Sequence, residues 1–305
     1  MKGLTYVILA QTCFALIGVF TKYIGPSMNS IILSFFRVFI ASIFLLLVAV
    51  VFQKTKELAI TKKDIAPFFI LGSLFALDFM FFVAAFQYTS IGEVGLLTSI
   101  VPVMVYFMAA KFLKEKISKN GLVALGAVLA GIYAINFAGT GGFSNSHILG
   151  NILALIGSVF VAGHITYMRF EERNHSSIDT IFWPMVFGTI LLLPLMLTFN
   201  YAAVPQTAYI WVILLGVIST GLGYLLVSLA LKSMEAHTYS LAGTIAFPLI
   251  SIIFGAFFFS EALTTNIIIG GSFMLLSALI VHYENRKIGI NRNLLRKVNQ
   301  KLHNL

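Results

Sequence analysis

The sequence predicts an all-α polytopic membrane protein whose ten transmembrane helices form a five-plus-five inverted repeat. Three observations carry this. Of the 305 residues, 59% are hydrophobic and only 10% charged, and the mean hydropathy is +0.96, whereas a soluble domain is about half apolar and a quarter charged. Ten apolar runs fill almost the whole chain, at 3–22, 29–52, 65–88, 91–113, 121–138, 148–168, 178–198, 207–231, 237–259 and 264–282. Each is close to the ~20 residues that one bilayer crossing takes. Finally, "PVMVYFMAAKFLKE" at 102–115 returns as "PLISIIFGAFFFSE" at 248–261, a proline and a glutamate 13 residues apart both times.

The first run follows Lys2 and has the outline of a signal peptide. No small-x-small cleavage site closes it and "FTKYIGP" leads straight into the next run, so it is read as a retained first span. It carries Gln11 and Thr12 as polar candidates for a translocation pathway, and the only cysteine, Cys13. One cysteine excludes an internal disulfide and a cysteine-based metal site, and Cys13 suits a small apolar filler.

The second and third runs each hold one deep charge. Arg37 stands about eight residues from the outer end of 29–52, and Asp78 about ten from the outer end of 65–88. At about 1.5 Å per residue these depths differ by roughly 3 Å, so the two side chains can meet if their helices turn the right faces together. A charge at mid-bilayer costs about 2.5–3.5 kcal/mol on insertion scales and therefore faces a partner or a cavity. Two readings stand open: a permanent Arg37–Asp78 ion pair, or an Arg37 that receives a substrate carboxylate beside an Asp78 that exchanges a proton.

The fourth and ninth runs carry Pro102 and Pro248. Proline inside a helix frees the carbonyl four residues earlier, here that of Thr98 and of Thr244. A bare carbonyl in hydrocarbon costs several kcal/mol (about 2–7), so both kinked spans are expected to line a cavity or to pack around the bend. Glu115 and Glu261 close these runs at the membrane surface, where each is expected to cap the start of the following helix. In the sixth run His164 lies near the cytoplasmic end, a place for a packed or interfacial histidine rather than a proton relay. Trp183 sits at a membrane boundary, as tryptophan prefers. Tyr224 follows "STGLG", small residues that permit close helix approach or bending.

The net charge of +9 is not a nucleic-acid signature. With the amino terminus inside, residue 2, the segments 53–64, 111–120, 169–177 and 232–236, and the basic tail 283–305 hold 18 of the 20 lysines and arginines. The outer connections "GTGGFSNSH", "FNYAAVPQ" and "SEALTTN" hold none. This positive-inside bias predicts a multi-pass protein of the cell (inner) membrane with both termini cytoplasmic.

An offset of 146 also pairs Ala84 with Ala230, Thr98 with Thr244, Ala110 with Ala256, Phe112 with Phe258 and Glu115 with Glu261. It sets the fourth span on the ninth. Five spans is an odd number, so the second copy, 148–282, must cross the membrane in the opposite sense to the first, 1–138. Inverted halves of this kind are an architecture of secondary transporters.

The residues "FVAAFQYTSIGEVGLLTSIVPVMVYFMAAKFLKEKISKNGLVALGAVLAGIYAI" and "YLLVSLALKSMEAHTYSLAGTIAFPLISIIFGAFFFSEALTTNIIIGGSFMLLSALIV" share one progression. An Ala-rich helix end is followed by a short turn, a proline inside the next span, a closing Glu and a Gly-rich span. With "FFRVFIAS" at 35–42, this resembles the EamA-type branch of the drug/metabolite transporter superfamily, although "LAQTCFALIG" lacks the tryptophan often found in that first span. The resemblance implies ten spans in two halves and transport of diverse small metabolites, with a lean toward export.

The expected function is therefore secondary active transport by alternating access. No P-loop follows a strand, so ATP is not the direct energy source and no cofactor is expected. Only Lys22 and Arg37 lie away from the cytoplasmic face, too few cations for a polyanion such as a sugar diphosphate. An amino acid or related zwitterionic or amphiphilic metabolite fits better, with Asp78 as the candidate for proton coupling. The alternatives are an exporter of drug-like or nucleoside compounds and a facilitative exchanger or uptake carrier. An intramembrane enzyme lacks a nucleophile with its base or a cluster of metal ligands, and a sensor lacks a separate signalling domain.

Overall fold

The computed structural model describes residues 2–53, 55–113, 119–137, 145–171, 175–176, 178–197, 204–233, 236–277, 279–280 and 283. Glu115 and nearly all of the basic tail lie outside them. The described residues form helices and the turns between them, without strands. The helices are α1 (Lys2–Ile24), α2 (Ser30–Val51), α3 (Ile65–Tyr88), α4 (Ile91–Leu97), α5 (Val101–Leu113), α6 (Lys119–Phe137), α7 (Asn145–Glu171), α8 (Asp179–Met196), α9 (Gln206–Leu214), α10 (Gly223–Ser233) and α11 (Ala236–Phe259), then α12 (Thr265–Ser277). A 3₁₀ turn, Thr98–Ile100, joins α4 to α5, and a π-helical segment, Leu215–Leu222, joins α9 to α10.

Among the described residues, seven helical stretches are long and apolar enough to cross a membrane: α1, α2, α3, α7, α8, the continuous α9–π–α10 stretch and α11. Three shorter apolar helices, Ile91–Val105, Leu122–Ala134 and Thr265–Ser277, fall in the remaining predicted runs. Large apolar side chains such as Val51, Leu197 and Phe257 face outward, while Ser34, Arg37, Asp78 and Thr220 are buried. That inside-out distribution belongs to a multi-pass membrane protein, whose surroundings are as apolar as its core.

Local chemistry sets the helix boundaries. Gly25, at φ +64°, ends α1 in the left-handed conformation that only glycine adopts without strain, and Pro26 follows. The Asn29 side chain accepts from Ile32 N at 3.0 Å to start α2, and Ser90 accepts from Glu93 N at 3.0 Å to start α4.

In the packing, α3 lies against α7 and α8, α2 against α8 and the π segment, α1 against α10 and α11, and α4 against α11. Helices α3 and α7 run antiparallel in a register that steps by seven. A Cβ at Gly150 would stand 2.6 Å from Thr89, one at Gly157 would stand 3.0 Å from Phe82, and the His164 ring stacks on Phe75. The two glycines thus bring the backbones together and fix which α7 residue faces which α3 residue.

The two prolines behave differently. Pro102 falls in the first turn of α5, and the Thr98 carbonyl that it would leave bare accepts the Val101 N–H through the 3₁₀ turn. The Thr98 hydroxyl donates to Gly95 O at 2.6 Å. Pro248 lies inside α11, which continues unbroken from Ala236 to Phe259. It packs on α4, where a Cβ at Gly95 would meet Pro248 and Ser251.

Glu261 corrects a second expectation. It does not cap the helix that follows it. Its carboxylate accepts from Ile91 N at 3.0 Å and Gly92 N at 3.2 Å, at the start of α4, and pairs with Lys22 at 2.8 Å. Sequence proximity suggested α12, but Ser260 at φ +52° turns the chain back, folding Glu261 against Gly255, where there is no side chain to obstruct it.

Candidate functional site

A polar cluster lies between α2, α3, α7 and the π–α10 segment. Arg37 is 3% exposed. Its Nε donates to Thr220 Oγ1 at 2.7 Å, and its guanidinium carbon lies 3.7 Å from the centre of the Phe79 ring. The Thr220 hydroxyl in turn donates to Leu215 O at 3.1 Å, five residues back, which suits the π register. A Cβ at Gly216 would stand 2.5 Å from Ile40 and 3.5 Å from the Arg37 carbonyl, so α2 touches the π segment backbone directly opposite the arginine.

Of the two readings left open by the sequence, the Arg37–Asp78 ion pair is not formed. Asp78, 4% exposed, places Oδ2 3.2 Å from His164 Nδ1. The oxygen lies off the axis of the ring N–H, so the contact has ion-pair distance without the alignment of a hydrogen bond. Asp78 and Tyr224 remain within electrostatic range of Arg37. The physical reason for the difference is the α3–α7 register: it brings His164 to the level of Phe75, one turn from Asp78, while Phe79 occupies the face of the guanidinium.

Aromatic rings enclose these groups. Tyr224 meets Phe14 edge-on at 5.2 Å and Phe75 at 5.3 Å, and Phe75 stacks on His164 at 4.3 Å and 17°. The structure thus gathers Arg37, Asp78 and Tyr224 among the predicted site residues and adds His164, Thr220, Phe75 and Phe79. Gln11 lies at the α1–α11 crossing, its amide nitrogen 2.9 Å from where a Cβ of Gly243 would stand, next to the half-buried Thr244. Thr98 and Pro102 belong to the α4–α11 side, and none of Thr98's described contacts is with the Arg37 cluster. The Thr12 hydroxyl donates to Ile8 O in its own helix at 2.8 Å.

Thr220 carried a signal as one of the two polar residues of "STGLG", and His164, read from the sequence as a packed or interfacial histidine, is packed into this cluster.

Two further polar groupings tie helix ends together. At one end Lys22, Glu261 and the start of α4 meet, as described above. At the other, His175 stands 3.1 Å from Asp64 and 3.6 Å from Glu171, and Trp183 donates to Leu58 O at 3.1 Å. The backbone N–H of Thr61, then its hydroxyl, and then His175 hold the Asp64 carboxyl below the usual carboxylate range. The described residues include no cluster of His, Cys, Asp and Glu suited to a metal ion.

Known proteins share both sequence and fold with this chain. An uncharacterized transporter of Archaeoglobus fulgidus is 25% identical over 283 residues, 92% of this chain and 99% of that one. The uncharacterized transporter YetK of Bacillus subtilis is 30% identical over 175 residues, covering 54% of this chain and 52% of that one. A solved crystal structure superimposes with a TM-score of 0.63 at 15% identity, covering 94% of this chain and 97% of its own, which shows a shared fold. The model of the EamA-like transporter family matches twice, at residues 1–137 and 148–283, nearly the whole length. This chain belongs to the EamA-like transporter family.

Proposed function

We propose that this protein is a secondary active transporter of the cell membrane that moves an amino acid or related zwitterionic or amphiphilic metabolite by alternating access, coupled to protons. The observation that carries the reading is Arg37. It is buried and anchored by Thr220 and Phe79, yet no described carboxylate lies within ion-pair distance of it. A guanidinium held on one edge and one face keeps its outer fork for a planar anion, and a carboxylate matches that fork in bidentate fashion. Asp78 supplies the opposite charge for an ammonium group or a proton.

The double match of one family model supports two homologous halves. With the odd number of spans between them, the halves are inverted and rock about a site near the midplane. Under the positive-inside bias the Lys22–Glu261 end is external and the Asp64–His175 end cytoplasmic. The rings of Phe14, Phe75, Phe79 and Tyr224 favour a second reading, an exporter of drug-like aromatic compounds.

Counterflow of a labelled amino-acid panel in proteoliposomes, with and without a pH gradient, tests the proposal. Uptake accelerated by the gradient is expected. Arg37→Ala should weaken carboxylate-bearing substrates far more than neutral analogues, and Asp78→Asn should remove the acceleration. Silence across the panel with folded protein, while drug-like compounds exchange, would replace the first reading by the second.

A further inference from the structure

His164 has no role in that reading, and its surroundings are odd for a packing residue. The residue is 4% exposed, its Nδ1 lies 3.2 Å from Asp78 Oδ2, and that nitrogen makes no aligned hydrogen bond. A buried polar atom left without one costs about 1–3 kcal/mol, so a purely structural imidazole would be expected to settle into a better bond. Among the described residues, the charged and titratable groups facing the pair are few. Asp78 faces it from α3, Arg37 lies beyond on α2, and Tyr224 joins them from α10, touching the Phe75 ring on which His164 stacks.

This set of groups has two charge states. With His164 neutral, the site offers one cation, Arg37, and one anion, Asp78, which complement a zwitterion. With His164 protonated, its charge neutralises Asp78 at 3.2 Å and Arg37 alone remains, which complements a monocarboxylate.

We propose that His164 is a specificity-determining residue: its proton decides whether Asp78 is free to bind a substrate ammonium group. This rests on the reading of Arg37 and Asp78 as the substrate's two anchors. The step balances with water as the proton acceptor. An arriving ammonium takes the Asp78 carboxylate, His164 gives up its proton to water, and the site returns to one cation and one anion with the zwitterion bound. Substrate ammonium and the His164 imidazolium thus compete for the Asp78 carboxylate, so binding of the one releases the proton carried by the other.

The test uses leucine and 4-methylpentanoate, which differ by the ammonium group alone, as competitors of counterflow in proteoliposomes held at the same pH on both sides. In the wild type the preference for leucine should fall about tenfold or more from the alkaline to the acid side, the scale on which a neighbouring charge acts. In His164→Asn, whose amide nitrogen stands near the former Nδ1, the preference should no longer change with pH. In Asp78→Asn it should be lost at every pH, which keeps the proposal open to refutation if His164→Asn fails to fold. An equal pH dependence in wild type and His164→Asn, or a leucine preference surviving in Asp78→Asn, would overturn it. Competition by neither compound, in a folded wild type that carries other solutes, would overturn the amino-acid reading beneath it.

Discussion

Arg37 is held by Thr220 and Phe79 with no described carboxylate within ion-pair distance. The Thr220 hydroxyl accepts from Nε and donates to Leu215 O, so it links the cation to the π segment. Thr220→Val keeps the shape and removes both bonds. Leaving the buried Nε–H unpaired costs about 1–3 kcal/mol, to be read as a lower melting temperature. The freed guanidinium also loses its orientation, so affinity for carboxylate-bearing substrates should drop more than for their neutral analogues. Equal losses for both would reduce Thr220 to a packing role. Arg37 and Asp78 were legible in the sequence because a charge inside an apolar run has few explanations. His164 was read as packed or interfacial, and it is packed; its closeness to Asp78 was not legible, because the α7 glycines lock that helix on α3 in a register that hydropathy does not encode. Who partners whom follows from helix register, and register comes from packing.

At the scale of elements, the apolar runs became helices nearly where hydropathy placed them, since a backbone in hydrocarbon must bond within itself. What happens inside the helices was less legible. The small residues of "STGLG" did mark a close approach, and Gly221 indeed leaves room for Phe44 of α2. The π register there could not be read, because it depends on a hydroxyl choosing the carbonyl five residues back and on α2 pressing from the side. The paired prolines suggested two equivalent bends, yet one falls at a 3₁₀ junction and the other in an unbroken helix. The π segment makes a sharp prediction. In Gly216→Ala the new methyl would stand 2.5 Å from Ile40, a branched carbon close to the backbone that cannot swing aside. Either α2 shifts or the π turn relaxes. The expected result is a loss of about 1–3 kcal/mol in stability, together with weakened carboxylate recognition as Arg37 moves with α2. Gly126, where a Cβ meets nothing within 4 Å, is the control site at which alanine should be silent.

The whole molecule is fastened at both ends of its helices, and the fastenings cross between the two stretches that match the same family model. Lys22 and the start of α4 belong to residues 1–137 and Glu261 to residues 148–283. Asp64 likewise belongs to the first stretch and His175 to the second. If the halves rock against each other, one fastening must release whenever its end opens, and Glu261 is the better placed to test. Its carboxylate takes three donors, Lys22 Nζ, Ile91 N and Gly92 N, and bonds to a charged acceptor are worth about 1.5–3 kcal/mol each, half or more of which an amide would forfeit. Glu261→Gln should therefore favour the conformation open at the Lys22 end. Ser251 reports on this, because it is fully buried against Gly95, one turn deeper than the capped start of α4. With Cys13, the only native cysteine, changed to serine, a Ser251→Cys reporter should resist a water-soluble maleimide while Glu261 is intact and label several-fold faster once Glu261 is glutamine. An unchanged labelling rate, in protein that still melts cooperatively, would mean that the Lys22–Glu261 contact ties down a helix end without governing access to the site.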